Sequence, residues 1–383
     1  MKKIICLLVF GFGSALYAQK LKNVQPSEIN KIPSPMFTFR AHILDVYPHL
    51  KNVETFSNPE KINEISSHLK AMAENAKNLK SHERLSTPFF TVPATELEKI
   101  MHEASNTYNE KNYARALRMT RSALHGCTFC HTSVSKVSAP LWEFEGTDLP
   151  KDPLEQAELW FLIRDYDRAL SFYNAFLSRY QSTDSTLHLK LALKRRIQIG
   201  LKILRDPKAT LDMLTPLKNE PQFPALTLKD IEHWKNELTI LKSFPAMDLK
   251  TIAPTDLIKS IEKILEGVFP VEPFNREAFI PYTYVSGILS EFISLRSKEV
   301  QPKMLYYLGA LESRIDHDLY MYFGENYLKA CVEQFPKDPV AKLCFDELND
   351  YWNMEFTGTS GNALPKEYKK ELKRLEQTLK TTK

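Results

Sequence analysis

The spacing of apolar residues is the feature that most restricts how this chain can fold. In the first fifth of the sequence, apolar residues alternate at three and four positions in two runs, Met36, Phe39, Ile43, Val46 and Leu50 followed by Ile62, Ile65, Leu69, Met72, Ala76 and Leu79. This spacing is typical of amphipathic helices with a narrow apolar seam. Glycine is scarce, with 11 residues in 383 against 23 prolines, which favours helices punctuated by proline. The pattern predicts an all-α protein.

Four helices are predicted in the first third of the chain. The first two follow the two apolar seams, and Asn58 caps the second of them. Thr95 and Glu98 form a capping box that begins the third helix, and the fourth starts near Asn112. Antiparallel helices with narrow seams are typical of a four-helix bundle. Residues 19–137 are therefore predicted to form such a bundle.

The first 18 residues have the composition of a signal peptide. Lys2 and Lys3 precede an apolar stretch from Ile4 to Ala18, which is shorter than the roughly 20 residues that cross a bilayer. Cleavage after Ala18 is expected to leave a periplasmic protein without a membrane span. Loss of the two lysines lowers the formal net charge from +4 to +2, too little to indicate a nucleic-acid partner.

A second helical region is predicted beyond a proline-interrupted linker at residues 138–153. It covers residues 154–356. Near its start, five residues fall at the spacing of a tetratricopeptide repeat (TPR), which this segment resembles: Ala157, Trp160, Tyr166, Ala169 and Tyr173. In such repeats small residues mark the positions where the two helices of a hairpin cross at close range.

Weaker copies of this repeat follow. One is centred on Ala209, and another joins Tyr306–Gly309 to Tyr327–Pro336. The match is poor between residues 220 and 300, so the region is predicted to be an irregular TPR-like array of helical hairpins. Residues 357–383 are predicted to form a flexible loop followed by a charged helix.

The strongest chemical signal is a single CxxCH motif formed by Cys127, Cys130 and His131. Two thiols at this spacing can form thioethers with the two vinyl groups of one haem, and the adjacent histidine can ligate iron. At these residues the chain resembles c-type cytochromes. The resemblance implies one covalently attached haem c, held by Cys127 and Cys130, with His131 as the proximal iron ligand. The alternative is a disulfide or dithiol pair in a haem-free protein.

The position of the motif narrows this resemblance. On the fourth helix Leu117, Thr120 and Leu124 share one stripe with Cys127 and His131, so that one face can carry both the bundle core and the haem attachment. The motif also ends its predicted domain. In both features the chain resembles cytochromes c-prime, which are four-helix bundles that carry CxxCH on the last helix.

The resemblance also suggests what faces the iron on its other side. In cytochromes c-prime an aromatic-Arg pair precedes an apolar residue over the distal haem face, and Phe39, Arg40 and Leu44 match that spacing. It therefore implies five-coordinate iron shielded by Leu44. A sixth ligand from another helix is the alternative, and the candidates are Met36, His42, His68 and Met72. For each of these four, a core or solvated role is also open.

Four basic residues and two further cysteines are the remaining candidates for a functional or structural role. The outer sides of the fourth helix carry Lys111, Arg115, Arg118 and Arg121, which could meet an acidic partner, a haem propionate or solvent. Cys331 and Cys344 flank the helix break at Phe335–Pro339, which places them on adjacent antiparallel helices. Either a disulfide or two buried thiols is compatible with this arrangement.

Together these patterns predict an exported mono-haem c-type cytochrome whose helical repeats dock a periplasmic redox or signalling protein. One-electron transfer is the first predicted function. Binding or sensing of NO or CO, and a haem-free repeat scaffold, are the alternatives. The sequence contains no nucleophile elbow, P-loop or HExxH motif, which favours an electron carrier or binding protein over an enzyme.

Overall fold

The structure is a computed structural model that describes residues 34–79, 88–133, 149–163, 165–269, 278–315, 323–358, 361–362 and 364–381. Within these ranges the protein is all-α except for one pairing of two-residue strands. None of the helices described is long and apolar enough to cross a membrane. The predicted signal peptide, and residues 138–148 of the predicted linker, lie outside the described residues.

The chain divides into two compact units. Of the described residues, the first unit comprises those within 34–79 and 94–243, and the second those within 88–93 and 244–381. This division differs from the predicted domain boundary, because the bundle and the first part of the predicted repeat region share one unit. Within that unit the Tyr47 hydroxyl donates a hydrogen bond to the Glu155 carbonyl at 3.1 Å, and Lys51 pairs with the Glu155 carboxylate at 3.3 Å.

The N-terminal elements in chain order are α1 (Ser34–Val46), a 3-10 turn (Tyr47–Lys51), α2 (Val53–Phe56), α3 (Ile62–Leu79), α4 (Pro88–Asn109) and α5 (Tyr113–Ser133). Four of these helices, α1, α3, α4 and α5, correspond to those predicted, and the short helix α2 was not predicted. The described side chains of the apolar seams are buried, including Phe39 and Ile43 on α1 and Ile65 and Leu69 on α3, except that of Ile62, which is half-buried. Helices α1 and α3 pack together along these seams.

Two of the predicted helix starts are wrong. Asn58 forms a turn before the helix, because its side-chain oxygen accepts a hydrogen bond from the Glu60 N–H at 3.0 Å, and α3 begins only at Ile62. Thr95 lies inside α4, which begins at Pro88. At α4 the better start signal was Pro88, because proline suits the first helical position, where its missing N–H has no partner to lose. Pro59, predicted at the first position of the second helix, lies before α3.

The rest of the first unit is a succession of helices. They are α6 (Pro153–Leu162), α7 (Tyr166–Arg179), α8 (Thr186–Gln198), a π-helical segment (Ile199–Ile203), α9 (Pro207–Leu214), a 3-10 turn (Thr215–Asn219) and α10 (Ala225–Leu241). Helices α6 and α7 form the predicted hairpin. All five residues of its repeat pattern are buried, and the Asp152 side chain caps α6 by accepting the N–H groups of Leu154 and Glu155 at 3.0 and 2.9 Å.

In the second predicted repeat, the closest contact between helical segments is not at Ala209, where it was predicted. Ala209 is only half-buried, whereas the neighbouring Thr210 is fully buried against Gly200 in the π-helical segment. A Cβ atom on Gly200 would lie 2.2 Å from the Thr210 hydroxyl oxygen, so glycine is required there. The repeat pattern did not single out Gly200, because it looks for one small residue in each helix at fixed spacing.

The second unit is also helical. Its elements are α11 (Pro254–Leu265), α12 (Phe279–Leu295), a 3-10 turn (Ser297–Glu299), α13 (Pro302–Ile315), α14 (Phe323–Gln334), α15 (Pro339–Glu355), β1 (Thr357–Gly358), β2 (Gly361–Asn362) and α16 (Lys366–Thr381). Helix α12 is rich in apolar residues and almost entirely buried, including its Thr283, Ser286 and Ser290. The predicted charged C-terminal helix is α16. Where a flexible loop was predicted before it, β1 and β2 pair antiparallel.

Glycine permits the closest helix crossing in the second unit. Helices α13 and α14 pack against each other where Gly309 meets Gly324. A Cβ on Gly324 would lie 2.5 Å from the Gly309 carbonyl oxygen and 2.8 Å from the Ser313 backbone nitrogen. Neither backbone atom can move without displacing its helix, so the hairpin depends on the missing side chains. This is the third predicted repeat.

Replacing Gly324 with alanine is expected to lower the free energy of unfolding by about 1–3 kcal/mol, the usual cost of overpacking a closely fitted contact. The measurement is a urea unfolding curve, read as a lower midpoint at unchanged slope. Asn326→Ala is the control, because Asn326 is half-buried on the same helix and alanine favours helix formation. Equal midpoints for the two variants would contradict the close crossing.

A disulfide joins the helices on either side of the predicted break. Cys331 on α14 and Cys344 on α15 are bonded, with their Cα atoms 6.3 Å apart and a sequence separation of 13. Both residues are fully buried. The sequence had left the choice between a disulfide and two thiols open.

Removing this disulfide is expected to cost about 3 kcal/mol of stability, since a cross-link over a loop of this length restricts the unfolded chain by roughly that amount. A thiol reductant should lower the unfolding midpoint of the native chain. It should leave the midpoint of the Cys331→Ala/Cys344→Ala variant unchanged, which controls for effects of the reductant elsewhere. A native midpoint insensitive to reduction would show that the bond contributes no stability.

Candidate functional site

The predicted haem-binding stripe lies on α5. Leu117, Thr120 and Leu124 are buried, and the Thr120 hydroxyl donates to the Ala116 carbonyl at 2.8 Å, which keeps this polar group satisfied inside the bundle. The helix continues to Ser133 and carries the whole CxxCH motif on its last turns.

Helix geometry places the motif in line with the buried stripe. Position 131 follows Leu124 by seven residues, or two turns, and position 127 precedes 131 by one turn. The side chains of Cys127, Cys130 and His131 lie outside the described part of the structure. Their roles as haem attachment points and iron ligand therefore stay predictions.

A cavity of about 490 Å³ lies beside α5, one turn before the motif. Ligand pockets in proteins generally range from about 300 to 1,000 Å³. Among the described residues its apolar wall consists of Leu50, Leu124, Phe161, Leu162 and Leu191 together with two prolines, and its polar groups are Tyr47, Lys51, Arg121, Glu155, Glu158 and His188. The cavity is thus largely apolar, with a few convergent polar side chains.

Arg121 holds one side of this cavity in place. Its guanidinium donates to the carbonyl of Leu50 at 2.9 Å and to that of Lys51 at 2.6 Å. These bonds satisfy carbonyl groups at the end of the 3-10 turn and fix the turn against α5. Burial lowers the pKa of Arg121, but a guanidinium remains charged in proteins. Arg121 and Lys51 therefore present two positive charges at the cavity.

The other basic residues predicted on this helix take different positions. Arg115 pairs with Glu103 of α4 at 2.6 Å. Lys111 lies in the turn between α4 and α5 with a φ of 63°, and Arg118 is exposed. Of the four, Arg121 is the one that lines the cavity.

A buried polar network lies behind the cavity. Glu158 of α6 accepts a hydrogen bond from the Tyr173 hydroxyl and pairs with Arg195 of α8 at 3.3 Å. Arg195 also donates to the Gln198 side chain at 2.9 Å and stacks over the Phe161 ring at 4.7 Å. Burial first, and then the charge of Glu158, raise the pKa of Tyr173 well above its usual value. The network fixes Glu158 and Phe161, two residues of the cavity wall.

The residues predicted to face the iron, either as a sixth ligand or as a shield, have different surroundings in the structure. Met72 is fully buried and Leu44 is half-buried, whereas the side chains of Met36 and Arg40 lie outside the described part. His42 and His68, predicted as two independent candidates, contact each other with their Nδ1 atoms 3.0 Å apart.

Sequence reasoning missed most of the cavity. Tyr47, Glu158 and His188 belong to the 3-10 turn, α6 and α8, and no single motif connects them. One signal was available: Glu158 and Arg195 are charged residues within otherwise apolar helix faces, which suggests a buried pair.

No protein-family model matches this chain, and comparisons with curated proteins and with solved structures found no match. The CxxCH motif and the helices around it are therefore the features that bear on function.

Proposed function

We propose that this protein is an exported mono-haem c-type cytochrome that transfers single electrons to or from a partner protein. The single observation that carries the proposal is the CxxCH motif of Cys127, Cys130 and His131, in a chain whose start has the composition of a signal peptide. Its position at the end of α5, within an all-α unit, supports the resemblance to bundle cytochromes.

The residues beside the motif are chemically suited to haem c. Leu50, Leu124 and Phe161 offer an apolar wall that would exclude water from the macrocycle. Lys51 and Arg121 are cations of the kind that pair with carboxylates such as the propionates. Cys127 and Cys130 would form the thioether bonds, and His131 would ligate the iron.

When bound, haem c supplies a one-electron redox centre. The chain's own contribution is to hold that centre and to set its surroundings. The ion pair of Lys51 with Glu155 and the hydrogen bonds from Arg121 keep the two cations in place without a ligand. A wall that is already formed loses little conformational freedom on binding, which favours affinity.

The helical hairpins are proposed to dock the redox or signalling partner in the periplasm. Arrays of this type expose extended surfaces built from successive helices. The hairpin of α6 and α7 belongs to the same compact unit as α5, and α6 supplies Glu155, Glu158, Phe161 and Leu162 to the cavity. A partner bound to this part of the array would lie within the unit that carries the motif.

An absorption spectrum of the full chain, produced in a host that attaches haem c, tests the proposal. A sharp reduced α-band that CO does not change is the expected result, because it indicates six-coordinate iron. A broad reduced spectrum that shifts under CO would replace electron transfer by gas binding. Absence of a Soret band in such a host would overturn the cytochrome and favour the haem-free scaffold.

A further inference from the structure

Three side chains with metal-ligand chemistry meet between α1 and α3. His42 and Asp45 are three residues apart on α1 and so share one side of that helix. His68 faces them from α3. The Nδ1 atoms of the two histidines are 3.0 Å apart, and the Asp45 carboxylate lies 3.6 Å from the same Nδ1 of His68. The three donor atoms all lie within 4.8 Å of one another.

Two of these separations, 3.0 and 3.6 Å, are close to those of donors around a tetrahedral ion. With metal–nitrogen and metal–oxygen bonds of about 2.0–2.2 Å, tetrahedral ligand atoms are roughly 3.3–3.6 Å apart. Imidazole nitrogen and carboxylate oxygen are both common ligands of Zn²⁺. The observed distances require shifts of only a few tenths of an ångström for two of the pairs.

Hydrogen bonding alone accounts for only part of this arrangement. A ring nitrogen carries either one proton or one lone pair, so Nδ1 of His68 can form one hydrogen bond in the plane of its ring. Both Nδ1 of His42 and the Asp45 carboxylate converge on that atom. A cation at the centre would be attracted by all three donors at once, and the negative charge of Asp45 would favour it further.

We propose that His42, Asp45 and His68 bind a divalent transition-metal ion, and that this ion is Zn²⁺. The site supplies three protein ligands and leaves the fourth position to water. The side chain of His68 is 20% exposed and that of Asp45 is 53% exposed, so the ion can exchange with solvent. The CxxCH motif lies on α5, whereas these ligands lie on α1 and α3, and an ion held by His42 and His68 would leave Met36 and Met72 as the candidates for a sixth iron ligand.

Metal binding at this place would tie two helices of the bundle together. Because α1 and α3 contribute ligands separately, an ion binds the folded unit and not the unfolded chain. Zn²⁺ should therefore raise the thermal unfolding midpoint in proportion to the logarithm of its concentration. The bundle does not depend on the ion for its core, since the seams of α1 and α3 are buried without it.

Calorimetric titration of the chelator-treated full chain with ZnCl₂ tests the proposal. One ion per chain is expected. His42→Gln and His68→Gln should each weaken binding at least about tenfold, since even residues that only support metal ligands are worth about that much. His102→Gln is the matched control, a half-buried histidine of the same unit outside the cluster, and it should bind as the native chain does.

Two outcomes would overturn the site. Absence of saturable binding is one, and an equal loss in all three histidine variants is the other, because it indicates unspecific surface binding. Titration of the Cys127→Ala/Cys130→Ala variant excludes the motif thiols as the ligands, and one-site binding should persist there. Since that variant cannot attach haem, its Zn²⁺ affinity also separates a failure of this site from a failure of the haem proposal.

Discussion

Replacing Cys127 and Cys130 with alanine is expected to abolish covalent haem attachment. The thioether bonds need both sulfurs at this spacing, and no other CxxCH occurs in the sequence. The measurement is haem retained on the denatured chain after gel electrophoresis, together with the α-band of the extracted protein in alkaline pyridine. Both signals should fall to background, the largest effect expected of any substitution in this chain.

The second pair of cysteines provides a matched control. The Cys331→Ala/Cys344→Ala variant also loses two sulfurs, but from the disulfide of the second unit, and should keep full haem content. Any equal loss of haem in this control would indicate that misfolding, and not the missing thioethers, removes the cofactor. Haem content unchanged in the Cys127→Ala/Cys130→Ala variant would disprove the motif's role.

His131 is tested through the iron. His131→Ala should alter the spin state and the Soret position of whatever haem remains, because the proximal ligand is lost. His125→Ala is its control on the same helix, since His125 precedes Cys127 by two residues and is not part of the motif. An unchanged spectrum in His131→Ala would mean that another residue ligates the iron.

Sequence spacing was sufficient to predict the elements that depend on one helix at a time. The seams led by Phe39 and Ile65 are buried, and the fourth helix starts within one residue of Asn112, whose side chain accepts the Arg115 N–H at 3.4 Å. These features follow from periodicity and capping, which are local. The same logic failed at Thr95, where a plausible capping box lies inside a longer helix.

Contacts between helices could not be predicted in this way. His42 and His68 are 26 residues apart, and Glu158 and Arg195 are 37 apart. Whether two such residues meet depends on which helices cross and with what rotation, and the apolar pattern leaves both undetermined. The cavity beside α5 and the three-ligand cluster therefore became visible only in the structure, although every residue in them could be read from the sequence.

The second large effect is expected at Arg195. Its side chain is 3% exposed and that of its partner Glu158 is 18% exposed, so the two charges meet largely away from water. Arg195→Met would leave the Glu158 carboxylate with the Tyr173 hydroxyl as the partner that the network still provides. Breaking a buried ion pair from one side costs about 3–5 kcal/mol, and urea unfolding should show a loss of that size.

Two further variants decide whether the uncompensated charge is the cause. Adding Glu158→Gln to Arg195→Met should recover most of the stability, because a neutral amide can still accept from Tyr173 and no charge remains buried. Arg115→Met breaks the exposed pair with Glu103, whose side chains are 54% and 43% exposed, and should cost at most about 1 kcal/mol. A loss in Arg195→Met no larger than that in Arg115→Met would contradict the contribution of the buried pair. If Arg195→Met is strongly destabilising and the double variant recovers nothing, lost packing against Phe161 replaces electrostatics as the explanation. The same variants bear on the cavity, since Arg195 stacks over Phe161 and holds Glu158, and both residues form its wall.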